Sequence, residues 1–188
     1  MLIPIIVTLL SFIFVCHSYV DIPCEWTNSG ANFDLRPLTV TQQNAPSYTI
    51  IDGDIPCTPE KEPAFSYVWN FCSAVTQVPD TCSNMGKSGV ALQWINLGKD
   101  GSDCYIIGKY DSNKDDLSYK LIDSSDPTKG ISMSYPTGEK CDTFGVMRSA
   151  TIDVQCANTK TTIISAQEPS PCQYHMTMKS VYGCPTVK

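Results

Sequence analysis

The chain has 188 residues, a formal net charge of −6 and a pI near 4.7. An acidic balance of this size repels phosphate backbones and anionic bilayers, which argues against nucleic acid or charged membrane as partners and leaves neutral ligands such as sugars open. About 170 residues beyond an N-terminal leader are enough for one domain with a sizeable core, whereas two domains would each be thin.

Leu2 to Val15 form a nearly uncharged apolar run, followed by the small-residue pattern Cys16-His17-Ser18. This is the pattern of a secretory signal peptide cut after Ser18. The run is short and is interrupted by Pro4, unlike a spanning helix, and no later stretch approaches the ~20 apolar residues a bilayer crossing needs. Residues 19–188 are therefore expected to form a single soluble domain in the lumen of the secretory pathway. Nine of the ten cysteines follow the leader: Cys24, Cys57, Cys72, Cys82, Cys104, Cys141, Cys156, Cys172 and Cys184. In an oxidising compartment they are read as four disulfides and one odd thiol. Their spacing lacks the clustered pairs of a zinc site, so neither metal nor cofactor is expected.

Residues 22–45 show no clear period and are read as a short helix or loop. A strand follows at 48–52. In "FSYVWNFC", Phe65, Tyr67, Trp69 and Phe71 alternate with Ser66, Val68 and Asn70, the period-2 pattern of a strand with one buried aromatic face. Further β-branched or aromatic runs lie at 89–96, 104–110, 118–123, 130–135, 148–156, 162–166 and 173–182. Between them "GKDGSD", "DSNKDD", "DSSDPTKG" and "YPTGEK" supply turn residues. Nine strands with almost no helical periodicity indicate an all-β sandwich or barrel.

Catalytic groups are sparse. His175 is the one histidine after the leader, "GKS" at 86–88 lacks phosphate-loop spacing, and the adjacent Asp115 and Asp116 sit in a polar turn. An enzyme is not expected. Four polar residues in or beside the predicted strands suit a hydroxylated ring better: Gln93, Arg148, Glu168 and Tyr174. Vicinal hydroxyls both donate and accept, and are matched by an amide that does both, a guanidinium fork, an accepting carboxylate and an adaptable phenol. Taken singly, the same residues read as an exposed strand glutamine, a surface ion pair and a core tyrosine with a wet tip.

The order of these residues among the cysteines carries a resemblance. "GISMSYPTGEKCDTFGVMRSATIDVQC" followed by "EPSPCQYHMTMKSVYGC" resembles the second half of a mannose-6-phosphate receptor homology (MRH) domain, with Tyr135, Gly138, Cys141, Arg148, Cys156, Glu168, Cys172, Tyr174 and Cys184 in the family's sequence of landmarks. "FDLRPL", "FSYVWNFCSAV" and "GVALQW" resemble the first half, and the likeness spans about residues 24–184. It implies a flattened nine-stranded β-barrel of two crossed antiparallel sheets that binds terminal mannose, with or without 6-phosphate, on N-glycans. Gln93 and Arg148 would read the axial 2-hydroxyl, and Glu168 and Tyr174 the 3- and 4-hydroxyls.

The resemblance also implies bridges Cys141–Cys172 and Cys156–Cys184 and suggests Cys24–Cys72. Cys82 is then joined to Cys104, which leaves Cys57 odd; replacement of Cys24 or Cys82 by Cys57 stays open. The stretch "DTFGVM" before the arginine offers Asp142 and no cation, with Lys140 just outside it, which favours plain over phosphorylated mannose. Glu168 must be ionised to accept hydroxyl donors, so binding is expected to weaken in acid. The partners implied are mannose-containing N-glycans on glycoproteins, in sorting, including lysosomal or autophagy-related routes, or in glycoprotein quality control. A membrane-bound or enzymatic partner subunit belongs to the same picture. The rival readings are a protein-interaction module that keeps the fold without sugar affinity, and the non-catalytic subunit of a glycan-processing enzyme.

Overall fold

The computed structural model describes residues 24–42, 45–51, 65–96, 102–109 and 117–187. The leader, Cys57 and the Asp115-Asp116 pair lie outside the described residues.

Two sheets enclose the main core. One has four antiparallel strands in the order β3-β4-β5-β6: β3 (Tyr48–Ile51), β4 (Phe65–Trp69), β5 (Ala91–Asn96) and β6 (Ser102–Gly108). The other has five, in the order β12-β13-β11-β8-β7: β7 (Ser118–Leu121), β8 (Gly130–Tyr135), β11 (Ser149–Cys156), β12 (Thr162–Ser170) and β13 (Gln173–Ser180). These nine strands coincide with the nine runs seen in the sequence. Alternation sets the faces: Ile131, Met133 and Tyr135, then Ala150, Ile152 and Val154, then Tyr174, Met176 and Met178 all point inward and are buried. They meet Tyr67, Trp69, Phe71 and Ile107 from the facing sheet.

Three features depart from the expectation. First, the five-stranded sheet is not wholly antiparallel, because β11 and β13 run parallel from Ser149↔Gln173 to Cys156↔Ser180. After β11 the chain places β12 one position further out, and the β12–β13 hairpin returns β13 into the gap, so two strands of the same direction become neighbours. Second, residues 22–45 contain a hairpin of β1 (Glu25–Asn28) and β2 (Ala31–Asp34), followed by a 3-10 turn at Arg36–Leu38. Ser29 and Gly30 both have positive φ, 49° and 84°, as the mirror-image hairpin turns require. β2 also pairs with the terminal strand β14 (Thr186–Val187).

Third, the outer face of the four-stranded sheet is covered. Val68 and Leu92 pack with Val75 and the Cys82–Cys104 bridge in a second, smaller cluster, which includes the short helix α1 (Asp80–Asn84). Asn70 is therefore buried where alternation alone would leave it wet. Its amide is spent on backbone: Oδ1 accepts from Val40 and Phe71 N–H, and Nδ2 donates to Val40 and Ala74 carbonyls.

Four disulfides fasten this frame: Cys24–Cys72, Cys82–Cys104, Cys141–Cys172 and Cys156–Cys184. Cys24–Cys72, Cys141–Cys172 and Cys156–Cys184 are the pairs that the resemblance suggested, and Cys82–Cys104 is the pair that was left to follow from them. A small hairpin of β9 (Lys140–Cys141) and β10 (Val146–Met147) projects between β8 and β11. No helix among the described residues is long and apolar enough to cross a membrane.

Candidate functional site

Backbone hydrogen bonds from residues 137–139 stitch the two sheets together where Arg148 stands. Lys109 N–H donates to Thr137 O at 3.2 Å and Glu139 N–H to Ile106 O at 2.7 Å on the β6 side. On the other side Gly138 N–H donates to Arg148 O at 2.7 Å, and Arg148 N–H to Glu139 O at 2.8 Å. The Glu139 carboxylate adds bonds from Ile106 N–H and Lys87 Nζ, both at 3.0 Å. The crossing is so tight that a Cβ on Gly138 would lie 2.6 Å from the carbonyl oxygens of both Arg148 and Ile106. Glycine is thus a steric requirement of the place where the arginine is held.

From this anchor the Arg148 side chain runs inward. Its guanidinium carbon lies 4.0 Å from the centre of the Tyr105 ring and 5.9 Å from that of Tyr174. Nη1 donates to the Tyr174 hydroxyl. Nε is buried and has no hydrogen-bond partner among the described residues. A buried N–H without an acceptor is costly, and a site that keeps one is arranged to receive an acceptor from elsewhere.

Gln93 comes from the facing sheet. Its cross-strand neighbours are Tyr67 on β4 and Tyr105 on β6, so one row across the sheet reads Tyr67, Gln93, Tyr105. Gln93 is only 2% exposed, and its Nε2 donates to the Tyr67 hydroxyl at 3.2 Å. The Tyr67 and Tyr174 rings lie 5.9 Å apart at 59°, which joins this row to the Arg148 side. Burial, then the Asp103 charge, push the Tyr105 phenol above its ordinary pKa, while the Arg148 charge pulls the other way.

Glu168 is brought in by a bulge. Ladder pairing runs Gln167↔His175 and resumes at Ser170↔Gln173, so Glu168 and Pro169 together oppose Tyr174. Bulges of this kind re-aim a side chain beside a site. Glu168 shares the inward face of Ala166, is 8% exposed, and accepts the N–H of Cys172, two residues before Tyr174. Cys172 itself has φ +63°, which tightens the turn into β13.

Of the four residues singled out in the sequence, Arg148 is bonded to Tyr174, Glu168 lies opposite Tyr174 in the ladder, and Gln93 is linked to Tyr174 through the Tyr67 ring. What the sequence reading missed is the aromatic lining. Tyr67 was read as core and Tyr105 was not singled out, although both phenols lie on the strands flanking the one that carries Gln93. His175, next to Tyr174, faces outward as alternation requires, its Nε2 2.9 Å from Asp153 Oδ2. No cluster of metal-ligating side chains occurs among the described residues.

The family model of the glucosidase II beta subunit-like protein matches residues 48–188. No curated protein matches the chain. Domain 11 of the echidna receptor for mannose 6-phosphate and insulin-like growth factor 2 is 19% identical with a TM-score of 0.51, over 89% of this chain and 99% of that one. The MRH domain of Yos9, solved in complex with alpha3,alpha6-Man5, is 19% identical with a TM-score of 0.39, over 63% of this chain and 70% of that one. The MRH domain of glucosidase II beta, solved bound to mannose, is 21% identical with a TM-score of 0.29, over 50% of this chain and 83% of that one.

Proposed function

The chain belongs to the glucosidase II beta subunit-like family, and from that premise we propose that residues 19–188 form one mannose-binding lectin domain acting on N-glycans. The observation that carries the reading is the buried Arg148 Nε–H left without an acceptor among the described residues, on a side chain held by the phenols of Tyr105 and Tyr174. A sugar hydroxyl supplies the missing acceptor, and a neighbouring hydroxyl of the same ring donates to Glu168. In this reading Gln93 and Arg148 take the axial 2-hydroxyl that separates mannose from glucose, and Glu168 and Tyr174 take the 3- and 4-hydroxyls. Tyr67 and Tyr105 fix the orientation of the amide and the guanidinium.

The module binds without transforming its ligand. The His175–Asp153 pair sits on the outer face of the sheet, away from Glu168, which supports this reading. Plain mannose is preferred to the 6-phosphate: in the hairpin before Arg148 the cation is Lys140, and Asp142 lies 3.7 Å from it and offsets its charge. With residues 1–18 as a secretory leader, the site of action is the lumen of the secretory pathway, and the process is glycoprotein quality control. The family match favours a second aspect of the same role, in which the domain presents glycans to a catalytic partner as a non-catalytic subunit.

A glycan array tests the reading. The folded domain is expected to retain high-mannose glycans over phosphorylated and glucose-terminated ones, and Arg148→Ala to lose the signal while its circular dichroism is unchanged. Undiminished binding by Arg148→Ala, or no mannose-dependent signal from the unaltered chain, would overturn it.

A further inference from the structure

We propose that Lys87 and Glu139 are a positioning pair for Arg148, holding its guanidinium over the Tyr105 ring and so setting how strictly the pocket reads the axial 2-hydroxyl. The proposal rests on the mannose reading above. Lys87 belongs to "GKS" at 86–88, the motif whose spacing does not fit a phosphate loop.

Local backbone geometry brings the lysine to the site. Gly86, at φ +67°, turns the chain after α1, and the N–H of Lys87 donates back to Cys82 O at 2.9 Å, which closes the helix end. The Cys82–Cys104 bridge fastens this turn to β6. Lys87 Nζ then donates to Cys104 O at 2.6 Å and to Glu139 Oε2 at 3.0 Å. The two side chains of the pair are only 26% and 25% exposed, so solvent and salt screen their charges less than those of a surface pair.

Glu139 touches both halves of the contact between cation and ring. Its N–H donates to Ile106 O and its carboxylate accepts the Ile106 N–H, so it grips the residue after Tyr105 twice. Its carbonyl accepts the N–H of Arg148. Lys87 grips the residue before Tyr105, through Cys104 O. The pair thus braces Tyr105 from both neighbours, and one member also holds the arginine backbone.

The charges give the pair a further part. Lys87 Nζ lies 5.5 Å from the centre of the Tyr105 ring that the Arg148 guanidinium covers at 4.0 Å. Like charges over one ring repel, and Glu139 neutralises Lys87 and leaves the ring to Arg148. The fields of Arg148 and Glu139 both reach the Tyr105 phenol, where they act in opposite directions on its pKa. With Glu139 neutral, Lys87 would push the guanidinium away. With Lys87 neutral, the carboxylate would draw the guanidinium off the ring.

The test is calorimetric titration of methyl α-mannoside and methyl α-glucoside into the unaltered chain, Glu139→Gln, Lys87→Met and the double variant, with a urea midpoint for each. Both single variants are expected to weaken mannoside binding roughly fivefold and to narrow the mannoside-to-glucoside preference by about the same factor. The double variant, in which neither charge is left alone, is expected to bind the mannoside more tightly than either single variant, whatever the order of the urea midpoints. Losses that add in the double variant, or that simply follow the midpoints, would reduce the pair to a brace of the fold and overturn the proposal. Unchanged affinity and preference in both single variants would overturn it too, with the lectin reading left standing. Absence of mannoside binding by the unaltered chain would remove the lectin reading itself, and the positioning pair with it.

Discussion

The guanidinium of Arg148 rests on the ring of Tyr105, 4.0 Å from its centre, although the two residues come from opposite sheets. Burial strengthens a contact between a cation and an aromatic face, and a planar cation laid on a ring loses little freedom when it binds. Tyr105→Leu is therefore expected to weaken mannose binding by about 1 kcal/mol, or about fivefold, and Tyr105→Phe to keep most of the affinity. Titration calorimetry on the two variants measures the difference, and equal losses would place the effect in the phenol hydroxyl instead of the ring.

Gly138→Ala adds a methyl group 2.6 Å from two carbonyl oxygens. Overpacking of that kind costs about 1–3 kcal/mol. Because one of those carbonyls belongs to Arg148, sugar affinity is expected to fall as well. A urea midpoint and a mannose titration on the same preparation check both effects.

The two C-terminal bridges close loops of similar length, with sequence separations of 31 for Cys141–Cys172 and 28 for Cys156–Cys184. Loop entropy then gives each a similar contribution to stability, about 3.6 kcal/mol. Paired Cys→Ser replacements should lower the denaturation midpoint alike. Binding should separate them, since the first bridge tethers the hairpin before Arg148 and the turn that bonds Glu168, while the second lies at the far ends of β11 and the 3-10 turn after β13. Loss of mannose affinity in both pairs to the same extent would contradict this division.

Asp153 is held below the ordinary aspartate range: burial alone would raise its pKa, but bonds from His175 and Ser132 and the charges of His175 and Lys120 outweigh it. The native state therefore prefers the ionised carboxylate more than the unfolded chain does. Its stabilising contribution is full above about pH 4 and is lost as pH falls through the lower native value. Asp153→Asn should thus be less stable than the unaltered chain at pH 6, with the gap narrowing toward pH 3. Chemical denaturation at the two pH values measures it.

The strands of both main sheets were legible because each is long enough for a period to show, as in "FSYVWNFC" and "SATIDVQC". The β1–β2 hairpin was not, since four-residue strands give too few alternations, although Ser29-Gly30 was a turn signal. The parallel β11–β13 pair is a property of chain order in space, which no local pattern carries. Asn70 and Val68 broke the alternation because a second cluster covers the outer face. In the pocket, Gln93, Arg148, Glu168 and Tyr174 could be named from their order among the cysteines. Tyr105 could not, because its part depends on Arg148 reaching across from another sheet.

β14 pairs with β2, as Thr186↔Asn32 and Val187↔Ala31, and Cys184 is fastened to Cys156 at the last residue of β11. Arg148 stands just before the first residue of that strand, which at about 3.3 Å per step puts the pocket roughly 23 Å away. Polypeptide joined beyond β14 would hang from that rear end, leaving the Arg148 end to point outward like the head of a probe on its handle.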